Sequence, residues 1–351
     1  MNPIEKKRLP RARRWLTGAA VVALLVALLL AWRWPAAIKP AYRLAVFACL
    51  APAVGSMLFA LVHRCTGGRW GEALHPFLSA GVRLAPWIWL LVIPIVLFTP
   101  PSDPPWPDYG SQAMVAIRAV GFALVLFALS AALRLRRFEF APWVGPLGLI
   151  VLAFTLHLVA EDWLSSLDPG WHSTAFPLVW MLGQGVAGFA CAVLGALWCG
   201  IPPAPAASLS ARAPGLDWGN LLLMVTLLWC YVTFAQFLII WSGNLPREIS
   251  WFTRRIHGGW AVVPALLALI HFVVPLALLL SRRVKRSVVG LGAAAITVFV
   301  AQGLFVTWMI LPALGSASGG GRWVAPAALV GAAALFFHRY LTFATPRRPH
   351  A

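Results

Sequence analysis

The sequence predicts an all-α, polytopic integral membrane protein of about ten transmembrane helices, and three observations lead there. The 351 residues are 61% hydrophobic and only 11% charged, more apolar surface than a water-soluble chain of this size can hide. Apolar runs of bilayer-spanning length, bounded by charge or by Pro and Gly, recur along the chain. The basic residues, which give a formal charge of +18, sit between these runs rather than in one stripe. That placement suits helix orientation and anionic lipid headgroups, and it argues against a nucleic-acid partner.

Taken in order, the runs fall at 15–34, 44–62, 82–99, 113–133, 143–164, 176–197, 220–241, 260–280, 288–311 and 325–341. The first follows a basic cluster from Lys6 to Arg14, but it is long for a signal peptide and reads as a membrane helix. The connecting segments are short and leave no room for a soluble catalytic domain. An Ala-, Pro- and Ser-rich stretch divides the chain into a first half of six helices (1–199), a cytoplasmic linker (200–219) and a second half of four helices (220–351). The loop 100–107, with Asp103 and the neighbouring Asp108, is stiffened by proline. Twenty Lys and Arg, from Lys6 to Arg348, fall on the side of the N-terminus and seven on the other, which predicts both termini in the cytoplasm. Arg33, Lys39 and Arg43 in the first outer segment run against that bias.

Cys49, Cys65, Cys191, Cys199 and Cys230 are scattered and form no C-x-x-C, haem-attachment or zinc pattern. They read as small packing residues, and no metal site is expected.

The polar residues inside the apolar runs are the candidates for chemistry, because an unpaired ionisable group in hydrocarbon is costly. Residues 222–255 combine Tyr231, Thr233 and Gln236 with an abrupt exit, Trp241-Ser-Gly-Asn-Leu-Pro246, and a short charged loop with Glu248. Tyr231, Thr233 and Gln236 are expected to face a neighbouring helix or a polar cavity. His271 lies between Pro264 and Pro275, whose missing N–H groups free carbonyls and bend the helix. It either lines a polar cavity or hydrogen-bonds a neighbouring helix for packing. His157 and Glu161 are four apart and share a helical face, followed by Asp162, Asp168 and His172. This series reads as a proton relay or a quinol headgroup site, or else as an interfacial cluster wetted from outside. Arg118 lies close enough to the outer surface to snorkel, and Gln184 and Gln302 can hydrogen-bond a neighbour or line a polar path. Glu72 and His75 fall in an inner, interfacial loop, and Gly183, Gly185 and Gly188 read as close helix packing. His157 and His271 lie at similar depth, but a bis-His haem site usually shows more than one such pair.

Two of these stretches resemble a known family. Phe237-Leu-Ile-Ile-Trp-Ser-Gly-Asn-Leu-Pro246, with Trp251 and the pair Arg254 and Arg255, is similar to the signature of the F subunit of alternative complex III. This is quinone-binding subunit 2 of quinol:cytochrome c oxidoreductase. Asp162-Trp-Leu-Ser-Ser-Leu-Asp168-Pro169, with Trp171, Ser173 and Thr174, resembles its second marker. His271-Phe-Val-Val-Pro275, the basic 281–286 segment and Gly67-Gly-Arg-Trp-Gly71 also look similar. Arg247 before Glu248, and His172 where Tyr is more usual, depart from the pattern.

The resemblance implies two four-helix bundles plus extra helices, related to the NrfD-like quinol-binding subunit of the same complex. It implies a bacterial inner-membrane location, with iron–sulfur and multihaem cytochrome c subunits as partners. It also implies no redox cofactor on this chain, with quinone at most a transient ligand. Proton half-channels proposed in the family make His157, Glu161 and His271, with Gln236 and Tyr231, the path candidates. Asp162, Asp168, His172, Trp241, Asn244, Pro246 and Glu248 form the outer-face motif. The leading expectation is a non-catalytic subunit of a respiratory quinol-oxidising complex. A secondary transporter, or an accessory subunit of a terminal oxidase, is the alternative.

Overall fold

The computed structural model describes residues 3–97, 112–138, 141–168, 171–203, 214–315 and 319–345. The proline loop 100–107 with Asp103 and Asp108, most of the linker with Arg212, Pro169, and Arg347 and Arg348 lie outside them. Among the described residues every regular element is helical, and ten helical spans are long and apolar enough to cross a membrane. The chain is an all-α, multi-pass membrane protein.

In order, the helices are α1 (Pro3–Arg33), α2 (Ile38–Thr66), α3 (Arg69–Leu90), α4 (Ile93–Leu97), α5 (Gln112–Arg134), α6 (Val144–Trp163) and α7 (Phe176–Trp198). They continue with α8 (Pro214–Gly243), α9 (Pro246–Ile256), α10 (Val262–Leu267), α11 (Val274–Leu280), α12 (Arg282–Arg286), α13 (Val288–Leu314) and α14 (Val324–Ala344). A π-helical turn, Ala268–Val273, joins α10 to α11 into one interrupted span.

Two closed rings account for eight of the spans. In the first, α2 packs on α3, α3 on α5, α5 on α6, and α6 back on α2. In the second, α7 packs on α8, α8 on the α10–α11 span, that span on α13, and α13 back on α7. The rings meet along α2 and α7, while α1 and α14 pair with each other outside them, α14 resting on α2 and α3. The segment 199–213 therefore joins two helices of one ring. The central helix is α7, with 83% of its span buried against 22% for α1.

Glycine sets the closeness of the α2–α7 crossing. A Cβ at Gly55 would run into the Gln184 carbonyl, and one at Gly188 into the Gly55 backbone. Small residues let helix backbones touch in lipid, where no hydrophobic force drives them together.

Three boundaries differ from the sequence expectation for local reasons. Gly67 (φ 63°) and Gly68 (φ 96°) turn the chain within two residues, so Glu72 and His75 ride on the first turns of α3 rather than in a loop. Pro214 opens α8, so residues 214–219 of the expected linker are helical. At the other end of α8, Asn244 adopts φ 49°, and among the described residues it alone is a non-glycine with positive φ. Asn tolerates that left-handed turn, Leu245 is extended, and Pro246 starts α9 with its φ already set. The exit noticed in the sequence is this tight reversal, which lays α9 across one face of the protein.

Candidate functional site

The site is built where α9 meets the turn after α6. A 3-10 turn (Ser165–Leu167) delivers Asp168, whose side chain is 2% exposed, beneath α9. The Arg255 Nη2 donates to Asp168 Oδ2 at 2.7 Å, and Arg254 Nη1 lies 2.7 Å from Asp168 Oδ1. Arg255, itself 1% exposed, also donates through Nη2 to Met309 O of α13 (2.8 Å) and through Nη1 to Trp251 O (3.1 Å), while its Nε has no protein partner. Its guanidinium sits 4.0 Å from the Trp251 ring centroid, and Trp308 Nε1 donates to the Arg255 carbonyl. Burial pushes the Arg255 guanidinium below its ordinary pKa, opposed by the adjacent Asp168 carboxylate. A buried charge of this kind is tolerable when it is paired, and here Asp168 supplies the opposite charge.

Aromatic rings close the same junction. Trp171 stacks on Trp251 with centroids 5.2 Å apart at 23°, and its Nε1 donates to Glu248 O at 3.2 Å. Gln236 on α8, 6% exposed, donates to Ser173 Oγ at 3.2 Å. The segments around 162–176 and 236–255 thus interlock, although more than sixty positions separate them. Asp162, 3% exposed, accepts from Arg118 Nε at 2.8 Å. The wetted interfacial reading is corrected for both acids: each is buried and ion-paired, and Arg118 turns to Asp162 instead of only snorkelling outward.

Other motif residues lie on the rim. Trp241 is 66% exposed, and His172, Asn244 and Pro246 are exposed, with Glu248 half-buried.

A second polar centre lies at mid-depth inside the second ring. His271 has no exposed surface, and neither ring nitrogen has a protein hydrogen-bond partner. Its ring lies 3.9 Å from that of Trp229 at 31°. In such a stacked contact the N–H edges point away from the partner ring, so neither satisfies the other. Trp229 Nε1 and Thr226 Oγ1, both buried, likewise lack a protein partner. Thr226 is unusual here, because Thr155, Thr233, Thr297, Thr307 and Thr342 each donate to the carbonyl four residues back. Pro275 has no N–H to offer the His271 carbonyl, which takes a 3.9 Å thiol contact from Cys230. Chemically, these are buried donors and acceptors without protein partners in an otherwise apolar interior.

The structure brings Gln236 and Asp168 to one junction and encloses His271, but it does not gather the other path candidates there. His157 is exposed on the flank of α6 and Glu161 is half-buried, so His157 and His271 do not face a common ligand. Tyr231 is 70% exposed, which corrects the inward orientation expected of it. The reason is helical phase: the buried seam of α8 runs through Trp218, Leu222, Val225, Trp229, Gln236 and Ile240, and Tyr231 lies about 200° round from Trp229. Thr226 and Trp229 were missed because polarity alone was read, whereas the spacing of that seam points to them. Among the described residues no three His, Cys, Asp or Glu side chains converge as a metal site. No protein-family model and no curated protein matches this chain.

Proposed function

We propose that this chain is a non-catalytic membrane subunit of a respiratory quinol:cytochrome c oxidoreductase of the alternative complex III kind. One observation carries the reading: the two stretches that resemble the F-subunit markers are locked into a single structure at one face, through Asp168 with Arg254 and Arg255 and through Trp171 on Trp251. A face built this rigidly from distant segments suits a docking platform for extramembrane iron–sulfur and multihaem cytochrome c subunits. The excess of Lys and Arg on the opposite side supports both termini in the cytoplasm of a bacterial inner membrane, with the platform outside. The redox centres would belong to the partners. This chain would contribute the platform, a surface facing the quinone pool, and a proton path in which His271 is the interior member.

The test is co-purification from native membrane in mild detergent with a tagged chain. Iron–sulfur and multihaem cytochrome c subunits are expected in the eluate, and Asp168→Ala is expected to deplete them while the chain stays in the membrane. A chain that elutes alone and drives solute uptake in proteoliposomes would replace this reading with the transporter.

A further inference from the structure

One face of α3 carries Arg83, Trp87 and Leu91 at four-residue intervals, all three exposed. α3 packs beside α5, on which Phe127 and Arg134 are seven apart and so share a face. Side-chain contacts join these faces into one cleft. The Trp87 ring meets Phe127 edge-on, with centroids 5.4 Å apart at 84°. Further along the same cleft, Arg83 and Arg134 come close enough for their positive charges to repel. Arg83 also lies 5.9 Å from the ring of Phe343, next to last in α14, so α14 supplies a third wall. Among the described residues neither guanidinium pairs with a carboxylate, and Arg134 donates to Ser130 Oγ at 3.4 Å. Two like charges held together are costly unless an anion sits between them.

Depth narrows what that anion is. Arg134 ends the α5 span, which starts at Ala113 and is about 30 Å long by the rise of a helix. That length matches the hydrocarbon layer, so the two guanidiniums stand at headgroup level, with Trp87 and Phe127 a turn or two deeper among acyl chains. A phosphodiester offers two terminal oxygens, the geometry that guanidinium forks match. A free phosphate leaves the aromatic floor unused, and an acidic soluble peptide cannot follow that floor into hydrocarbon. A zwitterionic headgroup brings a cation to two positive charges, with no described carboxylate to receive it. We infer that the cleft between α3, α5 and α14 binds one anionic phospholipid, its phosphate between Arg83 and Arg134 and its acyl chains along Trp87 and Phe127. The site does not depend on the proposed function.

The test uses the chain as extracted in mild detergent, with any subunits it carries, stripped of bound lipid. Native mass spectrometry follows its titration with dioleoyl phosphatidylglycerol. One tight adduct is expected, several-fold weaker with dioleoyl phosphatidylcholine and undisturbed by millimolar inorganic phosphate. Arg83→Gln combined with Arg134→Gln is expected to abolish it. Both side chains are exposed, so this variant is expected to fold, and phosphatidylglycerol should raise the melting temperature of the wild type but not of the variant. Arg11→Gln with Arg14→Gln removes equal charge from exposed positions on α1, which meets the same end of α14 through Arg13, and is expected to keep the adduct. Trp87→Ala is expected to weaken the adduct through the acyl chains while leaving both arginines in place. Equal binding of the two lipids, displacement by phosphate, or an adduct indifferent to loss of Arg83 and Arg134 would each overturn the site. A cross-link from Trp87→Cys to a protein subunit in native membrane would give the cleft to that partner instead.

Discussion

Asp168 and Arg255, 87 positions apart, meet at 2.7 Å with both side chains out of contact with solvent. The pair ties the turn after α6 to α9, and through Met309 O to α13, so three chain segments share one charge. Removing Asp168 strands the buried Arg255, so Asp168→Ala is expected to cost about 3–5 kcal/mol, whereas Arg255→Ala leaves Asp168 with Arg254 and is expected to cost less. The double variant is expected to cost far less than the sum. Arg254 is 45% exposed, and Arg254→Ala is expected to cost about 0–1 kcal/mol. Chemical denaturation of the four proteins in one detergent checks this, and additive losses would contradict a coupled pair.

The Asn244 turn makes a separate prediction. At φ 49°, Asn244→Gly is expected to be neutral, while Asn244→Val is expected to cost about 1–2 kcal/mol through its branched Cβ. The loss should appear as faster proteolysis around α9, with α13 still protected.

Helix approach at Gly55 and Gly188 is expected to dominate the tolerance map of the membrane core. Gly188→Leu forces α2 and α7 apart and should cost about 3 kcal/mol or more, lowering the yield of folded chain. Gly121→Leu on α5, where a Cβ meets nothing within 4 Å, is expected to be silent. Equal expression of both variants would remove the close-contact argument.

The ten spans were legible because apolar length is a one-dimensional signal that lipid enforces strongly. The break after α8 was legible too, since Asn before Leu-Pro has few other uses after a helix, but the short charged loop expected beyond it is the helix α9. Side-chain direction was less so. Tyr231 and His157 are polar residues at plausible depth, yet they face outward, and only the phase of the buried seam on α8 separates Tyr231 from Trp229. Ion pairs such as Arg118 with Asp162 join different helices, and one sequence carries no register between helices. The rings were likewise invisible in the sequence itself, because the division at the linker follows chain order whereas packing places α7 with α8 and α13.

Lys285 gives a pH prediction. The residue is 6% exposed, its amine donates to Asn220 Oδ1 at 2.5 Å, and burial, then Arg282, lower its pKa from the ordinary 10.5. A folded-state pKa below the unfolded one means the folded chain holds fewer protons in between, so stability rises with pH through that window. The penalty is full below the window. Compared with Lys285→Met, the wild type is therefore expected to gain in melting temperature as pH approaches 10.5. Parallel curves would show that Lys285 does not carry the effect.

His271 separates packing from proton handling most cleanly. A histidine kept for packing would hydrogen-bond a neighbouring helix, yet both ring nitrogens lack a protein partner in a fully enclosed position. His271→Phe keeps a ring against Trp229 and removes two buried polar atoms, so stability is expected to hold or to rise by about 1–3 kcal/mol. If the imidazole handles protons, the same variant lowers the proton-to-electron ratio of the assembled complex in proteoliposomes while quinol oxidation continues. His157→Leu and Tyr231→Phe are the controls, because both side chains face outward, and each is expected to leave that ratio unchanged. Thr226→Val, which deletes another unpartnered buried hydroxyl one helical turn from Trp229 and preserves volume, is expected to hold or raise stability as His271→Phe does. A large loss of stability in His271→Phe, with an unaltered ratio, would return the residue to a structural role.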